Sequence, residues 1–296
     1  FLAGARERDH GYRNHSDADI GTAQLKLGRK YGDRSDIVVS YTRADDRLEQ
    51  PGSLTGTEIA QDRRQNISAV DYVSKMDFFT VSQRQALPWD FSLAVNGHLR
   101  ERTEDSPLNR GRSSVSRYLA KQRSRGLTGQ VSRESEFWGR RNITMVGAET
   151  ADNEADSKSS GFFGAWPFES ASMAKENSEA LFVQNVLDLV PYSWVLTTAL
   201  RYEETTTSYE DKVTPSNNGL QHFNRTSPRL GLNYNNPSGF SAYLLYSEAF
   251  RTPTVNEIST LGPFGSSKLK PVKARNYELG ARTPLGGIAG VRACLL

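Results

Sequence analysis

The 296-residue sequence predicts an all-β chain folded as an antiparallel, up-and-down transmembrane β-barrel. Three observations lead there. Side-chain polarity alternates with period two in segment after segment. The connections between these segments are alternately short and long, as they are on the two rims of an outer-membrane barrel. Finally, no run approaches the roughly 20 apolar residues of a spanning helix, whereas a barrel strand needs only about 9 to 11 residues, every second one facing lipid. A content of 36% hydrophobic and 24% charged residues therefore fits such a barrel as well as a soluble protein.

The strands are read from the alternation. Ile37, Val39 and Tyr41 alternate with Val38, Ser40 and Thr42. Phe91, Leu93, Val95, Gly97 and Leu99 alternate with Ser92, Ala94, Asn96, His98 and Arg100, giving one apolar and one polar face. Val195, Thr197 and Ala199 alternate more weakly with Trp194, Leu196, Thr198 and Leu200. Leu230, Leu232 and Tyr234 alternate with Arg229, Gly231 and Asn233, and Tyr277, Leu279 and Ala281 with Asn276, Glu278, Gly280 and Arg282.

Tight turns are expected near Lys30–Arg34, Leu87–Asp90, Trp138–Arg141, Val190–Ser193, Asn235–Gly239 and Thr283–Gly287, most of them carrying Gly, Pro, Asn or Asp. Longer polar connections are expected at Asp9–Asp17, Asp46–Ala69, Thr103–Ser116, Ala151–Lys175, Glu204–Phe223 and Arg251–Lys273. Alternation by itself also suits a soluble β-sandwich or a propeller. The regular segregation of connections favours the barrel, and no repeat of about 40 to 50 residues supports a propeller.

Other function classes find little support. The net charge of +3 comes from 37 basic and 34 acidic residues mixed along the chain, so no basic face for nucleic acid stands out. The single cysteine, Cys294, excludes an intramolecular disulfide and a cysteine-based zinc site. His10, His15, His98 and His222 are scattered, and no nucleophile, base and acid fall into a catalytic spacing. No enzyme, cofactor or metal site is expected.

The segment 227–282 carries a family resemblance. Ser227-Pro228-Arg229-Leu230-Gly231-Leu232-Asn233-Tyr234, a turn at Asn236-Pro237-Ser238-Gly239, and Tyr243 to Glu257 with its Phe250-Arg251-Thr252-Pro253 box come first. Leu269-Lys270-Pro271 and Tyr277-Glu278-Leu279-Gly280 follow in order. Together they resemble the barrel of TonB-dependent outer-membrane receptors. Gly11-Tyr12-Arg13-Asn14-His15-Ser16 and Leu48 to Thr55 resemble early barrel loops of ferric-citrate-type receptors, and Phe182 to Glu203 resembles the family's hairpin ending in Leu-Arg-Tyr-Glu.

The resemblance implies a gram-negative outer-membrane protein that takes up an iron complex, most readily a ferric siderophore, with outer-membrane lipid and the TonB complex as partners. In the intact family TonB pulls on a plug, using the inner-membrane proton gradient. A passive porin or adhesin barrel is the alternative class, and a haem or cobalamin receptor the alternative within the family; Thr254 to Lys268 has no His for haem. About thirteen strands are counted, against 22 in plugged transporters of about this type. Residues 1–296 are thus expected to be a partial barrel domain, without the plug, the TonB box and the C-terminal strands, and inactive alone.

Ferric siderophores are anionic or aromatic, so Arg and aromatic side chains are the groups expected to meet one. The candidates are Phe162, Phe163, Trp166 and Phe168 in one long connection, with Arg251 and Phe264 in another. Interfacial or loop-packing aromatics are the plainer explanation for them. Phe250, Pro253, Leu269, Pro271, Tyr277 and Gly280 are expected to shape strands rather than bind. Pro253 cannot donate to a ladder and so is expected where a strand leaves the sheet.

Overall fold

A computed structural model describes residues 1–111, 114–253, 269–285 and 288–295. The strands run in chain order: β1 (Leu2–Asp9), β2 (Ala18–Lys30), β3 (Asp36–Gln50), β4 (Ala69–Ala86), β5 (Phe91–Arg110), β6 (Ser114–Phe137), β7 (Arg140–Phe163), β8 (Trp166–Val190), β9 (Trp194–Asp211), β10 (Gly219–Asn235), β11 (Ser241–Arg251), β12 (Val272–Leu285) and β13 (Ile288–Leu295). A single-turn helix, α1 (Gly56–Gln61), interrupts the β3–β4 connection. Each strand pairs antiparallel with its sequence neighbours, giving one 13-stranded up-and-down sheet. Among the described residues β1 pairs only with β2 and β13 only with β12, so the sheet is not closed.

The tight turns fall where the sequence places them, to within a residue or so, in five of six cases. In the sixth, Thr283–Leu285 are still strand and residues 286 and 287 lie outside the described residues. Trp138 and Gly139 both have positive φ, 51° and 66°, the geometry of the two-residue hairpin turn that matches strand twist.

The long connections differ from expectation. Most of residues 103–116, 151–175 and 204–223 is strand rather than loop. β6 and β7 keep one uninterrupted register from Ser114↔Phe163 to Phe137↔Arg140, and β8 reaches 25 residues. At about 3.3 Å per residue such strands far exceed the 9 to 11 residues or so that cross a bilayer, so their upper halves project beyond it. Water bathes both faces of that part, which removes the polarity contrast that marks a strand in sequence.

The sheet has almost no interior. Ala120, Ala174, Ala180, Tyr209 and Pro253 are the buried apolar side chains among the described residues. Most of the aliphatic side chains instead line one face. Val131, Val146, Val183 and Leu200 are direct cross-strand partners in a row across β6 to β9 and are 39–55% exposed. Leu232, Leu244 and Leu279 continue the band across β10 to β12. The opposite face carries Gln130, Gly147, Phe182, Arg201 and Ser227 in one row.

The apolar face has marked limits. Trp89, Trp138 and Tyr192 stand at the tight turns, 81–92% exposed, as an aromatic girdle does at a membrane interface. Above the band come ion pairs: Arg43–Asp77 at 3.1 Å, Arg123–Glu101 at 3.5 Å and Arg125–Asp152 at 3.2 Å. An apolar belt between aromatic and charged borders, on a sheet without a core, needs a hydrocarbon solvent. Among the described residues no helix is long and apolar enough to cross a membrane; a barrel crosses with its strands.

Candidate functional site

The four aromatic candidates sit at the tip of the β7–β8 hairpin, closed by Gly164 at φ 60°. Phe163 pairs with Trp166, Phe162 with Pro167 and Gly161 with Phe168. Because side chains alternate along a strand and the register is unbroken, Phe163, Trp166 and Phe168 lie on the face shared with Gly147, Phe182 and Arg201, and Phe162 on the apolar-band face. All four are at least 40% exposed. The sequence expectation of a loop is corrected here: these residues lie on strands, held by main-chain hydrogen bonds up to a two-residue turn.

Arg251 ends β11, paired with Val272, and β9 and β10 separate its strand from the aromatic tip. The sheet therefore does not gather Arg251 with the aromatics in neighbouring strands. Phe264 lies outside the described residues.

Of the motif residues, Phe250 lies on β11 and Tyr277 and Gly280 on the paired β12, with Pro253, Leu269 and Pro271 just outside these strands. Phe250 is opposite Lys273, and Tyr277 faces Tyr246 with ring centroids 5.1 Å apart. Gly280 is opposite Tyr243, whose ring occupies the space a Cβ at 280 would take. β11 ends at Arg251, just before the buried Pro253, and Leu269 and Pro271 lead into β12.

The polar face bears groups that the sequence did not single out. Arg201 reaches Glu149 at 3.2 Å and Glu203 at 2.8 Å. Arg102 donates to Tyr72 Oη at 2.8 Å and Ser74 Oγ at 3.1 Å, and lies 3.0 Å from Glu104. His98 Nε2 is 3.3 Å from Ser124 Oγ. These residues come from strands distant in sequence, and only the register aligns them. Each arginine is balanced by at least one carboxylate, which makes this face polar and evenly charged; no nucleophile–base pair is assembled among these residues.

Fold and surface thus define an outer-membrane β-barrel wall with a lipid-facing belt and a charged inner face. Residues 4–292 match the family described as TonB dependent receptor-like, beta-barrel, and the chain belongs to that family. Its members are gram-negative outer-membrane proteins, transport receptors rather than enzymes, and this chain is an outer-membrane protein.

Solved structures share the fold. The ferric citrate transporter FecA in the unliganded form superposes with a TM-score of 0.85 at 16% identity, covering 95% of this chain and 43% of that one. The alcaligin outer-membrane receptor FauA from Bordetella pertussis gives 0.72 at 15% identity, covering 95% of this chain and 42% of FauA. The ferric yersiniabactin uptake receptor FyuA from Yersinia pestis gives 0.74 at 14% identity, covering 99% and 49%. The chain spans less than half the length of each.

Proposed function

We propose that residues 1–296 form part of the barrel wall of a receptor that takes up a ferric siderophore, driven by the TonB complex. The match to the receptor barrel family over residues 4–292 carries this reading. The neighbouring structures named for ferric citrate, alcaligin and ferric yersiniabactin support the class of cargo. In this proposal Phe163, Trp166 and Phe168 offer an aromatic surface at the outer rim, while Arg102 and Arg201 on the inner face are already paired with Glu104 and with Glu149 and Glu203 and would meet an anionic cargo only by exchanging those partners. Ring-bearing iron chelates suit the aromatic surface. Outer-membrane lipid covers the apolar belt.

Growth tests this. A strain stripped of its own ferric-siderophore receptors, expressing the gene that encodes this chain in its native reading frame, is expected to grow on at least one ferric siderophore as sole iron source. Growth is expected to stop when TonB is deleted. Failure on every iron chelate, haem and cobalamin source would count against the proposal.

A further inference from the structure

We infer that His15, Glu49 and Asp71 form a divalent transition-metal site, of the zinc class, that staples the first two long connections on one rim. Glu49 on β3 and Asp71 on β4 are direct register partners. Two carboxylates in that relation repel each other unless a positive charge lies between them. The β1–β2 connection delivers His15 there, with Nε2 3.3 Å from Asp71 Oδ1 and Nδ1 3.6 Å from Glu49 Oε2. One ligand atom from each of the three residues lies within 4.8 Å of the others.

No aligned hydrogen bond accounts for the approach of His15 to Asp71. His15 Nε2 and Asp71 Oδ1 are sealed from solvent, yet neither has a hydrogen-bond partner, so their approach lacks the alignment such a bond needs. The 3.3 Å separation does match two ligands on one tetrahedral zinc, about 3.3 Å apart when each bond is about 2.0 to 2.1 Å. Glu49 stands beside Nδ1 and Asp71 beside Nε2, so binding requires one carboxylate to swing toward the other's nitrogen; one imidazole nitrogen with two carboxylate oxygens, leaving a fourth position for water, then suits zinc better than calcium, which takes about 6 to 8 oxygens.

The cluster is held in place by other contacts. The Arg13 guanidinium donates to the carbonyls of Gly52, Pro51 and Gln65, and the Asn14 N–H donates to Arg64 O at 2.8 Å. The Glu49 N–H donates to Asp17 O, also at 2.8 Å. Of the three residues only Glu49 lines the neighbouring open cavity of about 350 Å³.

The test is zinc titration of the metal-free protein in detergent micelles, followed by calorimetry, with sheet content checked by circular dichroism. One equivalent of Zn²⁺ is expected to bind. Affinity should fall at least about 100-fold in His15→Gln and in Asp71→Asn, and stay unchanged in His10→Gln, whose imidazole is exposed beside Asp17. X-ray absorption at the zinc edge of the unaltered protein should show a nitrogen and oxygen shell without sulfur. No saturable binding, binding indifferent to His15→Gln, or a sulfur ligand from Cys294 would each overturn the inference.

Discussion

The ring of Tyr243 lies across Gly280, its direct partner on the neighbouring strand, and fills the space that a Cβ at position 280 would need. An aromatic ring covering a strand glycine hides the backbone that glycine exposes and fixes which residues face each other. Gly280 thus earns its place in the Tyr277-Glu278-Leu279-Gly280 stretch by shape.

Gly280→Ala is accordingly expected to destabilise the protein by about 1 to 3 kcal/mol through overpacking. Tyr243→Ala removes the obstacle, so the double variant should be less destabilised than the sum of the two single ones. Urea unfolding in micelles measures the cycle. Strict additivity would show that ring and glycine do not interact.

Arg13→Ala should free the β1–β2 connection from the β3–β4 connection. Arg13 Nη2 donates to Gln65 O at 2.8 Å from 52 residues away, one of several carbonyl contacts it makes. Losing charged hydrogen bonds of this kind costs about 2 kcal/mol, or a roughly 30-fold larger equilibrium constant for local opening. Hydrogen exchange at residues 13–16 and 64–68 reads the effect, and unchanged protection there would refute it.

The β9–β10 connection is expected to loosen in acid. The Asp211 carboxylate accepts the Thr214 N–H at 2.8 Å, the Asn217 side-chain amide at 2.9 Å and the Val213 N–H at 2.9 Å, and these bonds, that to Thr214 foremost, hold its pKa below the usual carboxylate value. A pKa lowered by folding means stability that is present above the unfolded value and lost as pH falls through the folded one. Protection of the Val213 and Thr214 amides, corrected for intrinsic exchange, should therefore drop at acid pH. In Asp211→Ala it should already be low at neutral pH.

The two faces should respond differently to charge. Val146 sits in the apolar row, 55% exposed, and Val146→Arg is expected to cost about 2 to 4 kcal/mol if it lies near the bilayer midplane. Gln184, on the other face of the neighbouring β8, should tolerate Arg with little change. Folding into vesicles of saturated and unsaturated phosphatidylcholine compares them, and equal costs would contradict the assignment of faces.

The sequence by itself determined the β class, the strand number, the tight-turn rim and the receptor-barrel resemblance. Period-two polarity is written residue by residue wherever one face meets hydrocarbon, as from Phe91 to Leu99, and turn residues announce themselves locally. Only the tertiary structure decided how far the strands run. Between Ala151 and Lys175 both faces meet water, so the composition resembles a loop, while cross-strand hydrogen bonds to β6 and β9 keep the chain extended. Register, in turn, set Phe163, Trp166 and Phe168 on one face and Phe162 on the other. It also brought His15, Glu49 and Asp71 together from three separate segments, because a strand's partners depend on how the sheet aligns and no local pattern records that.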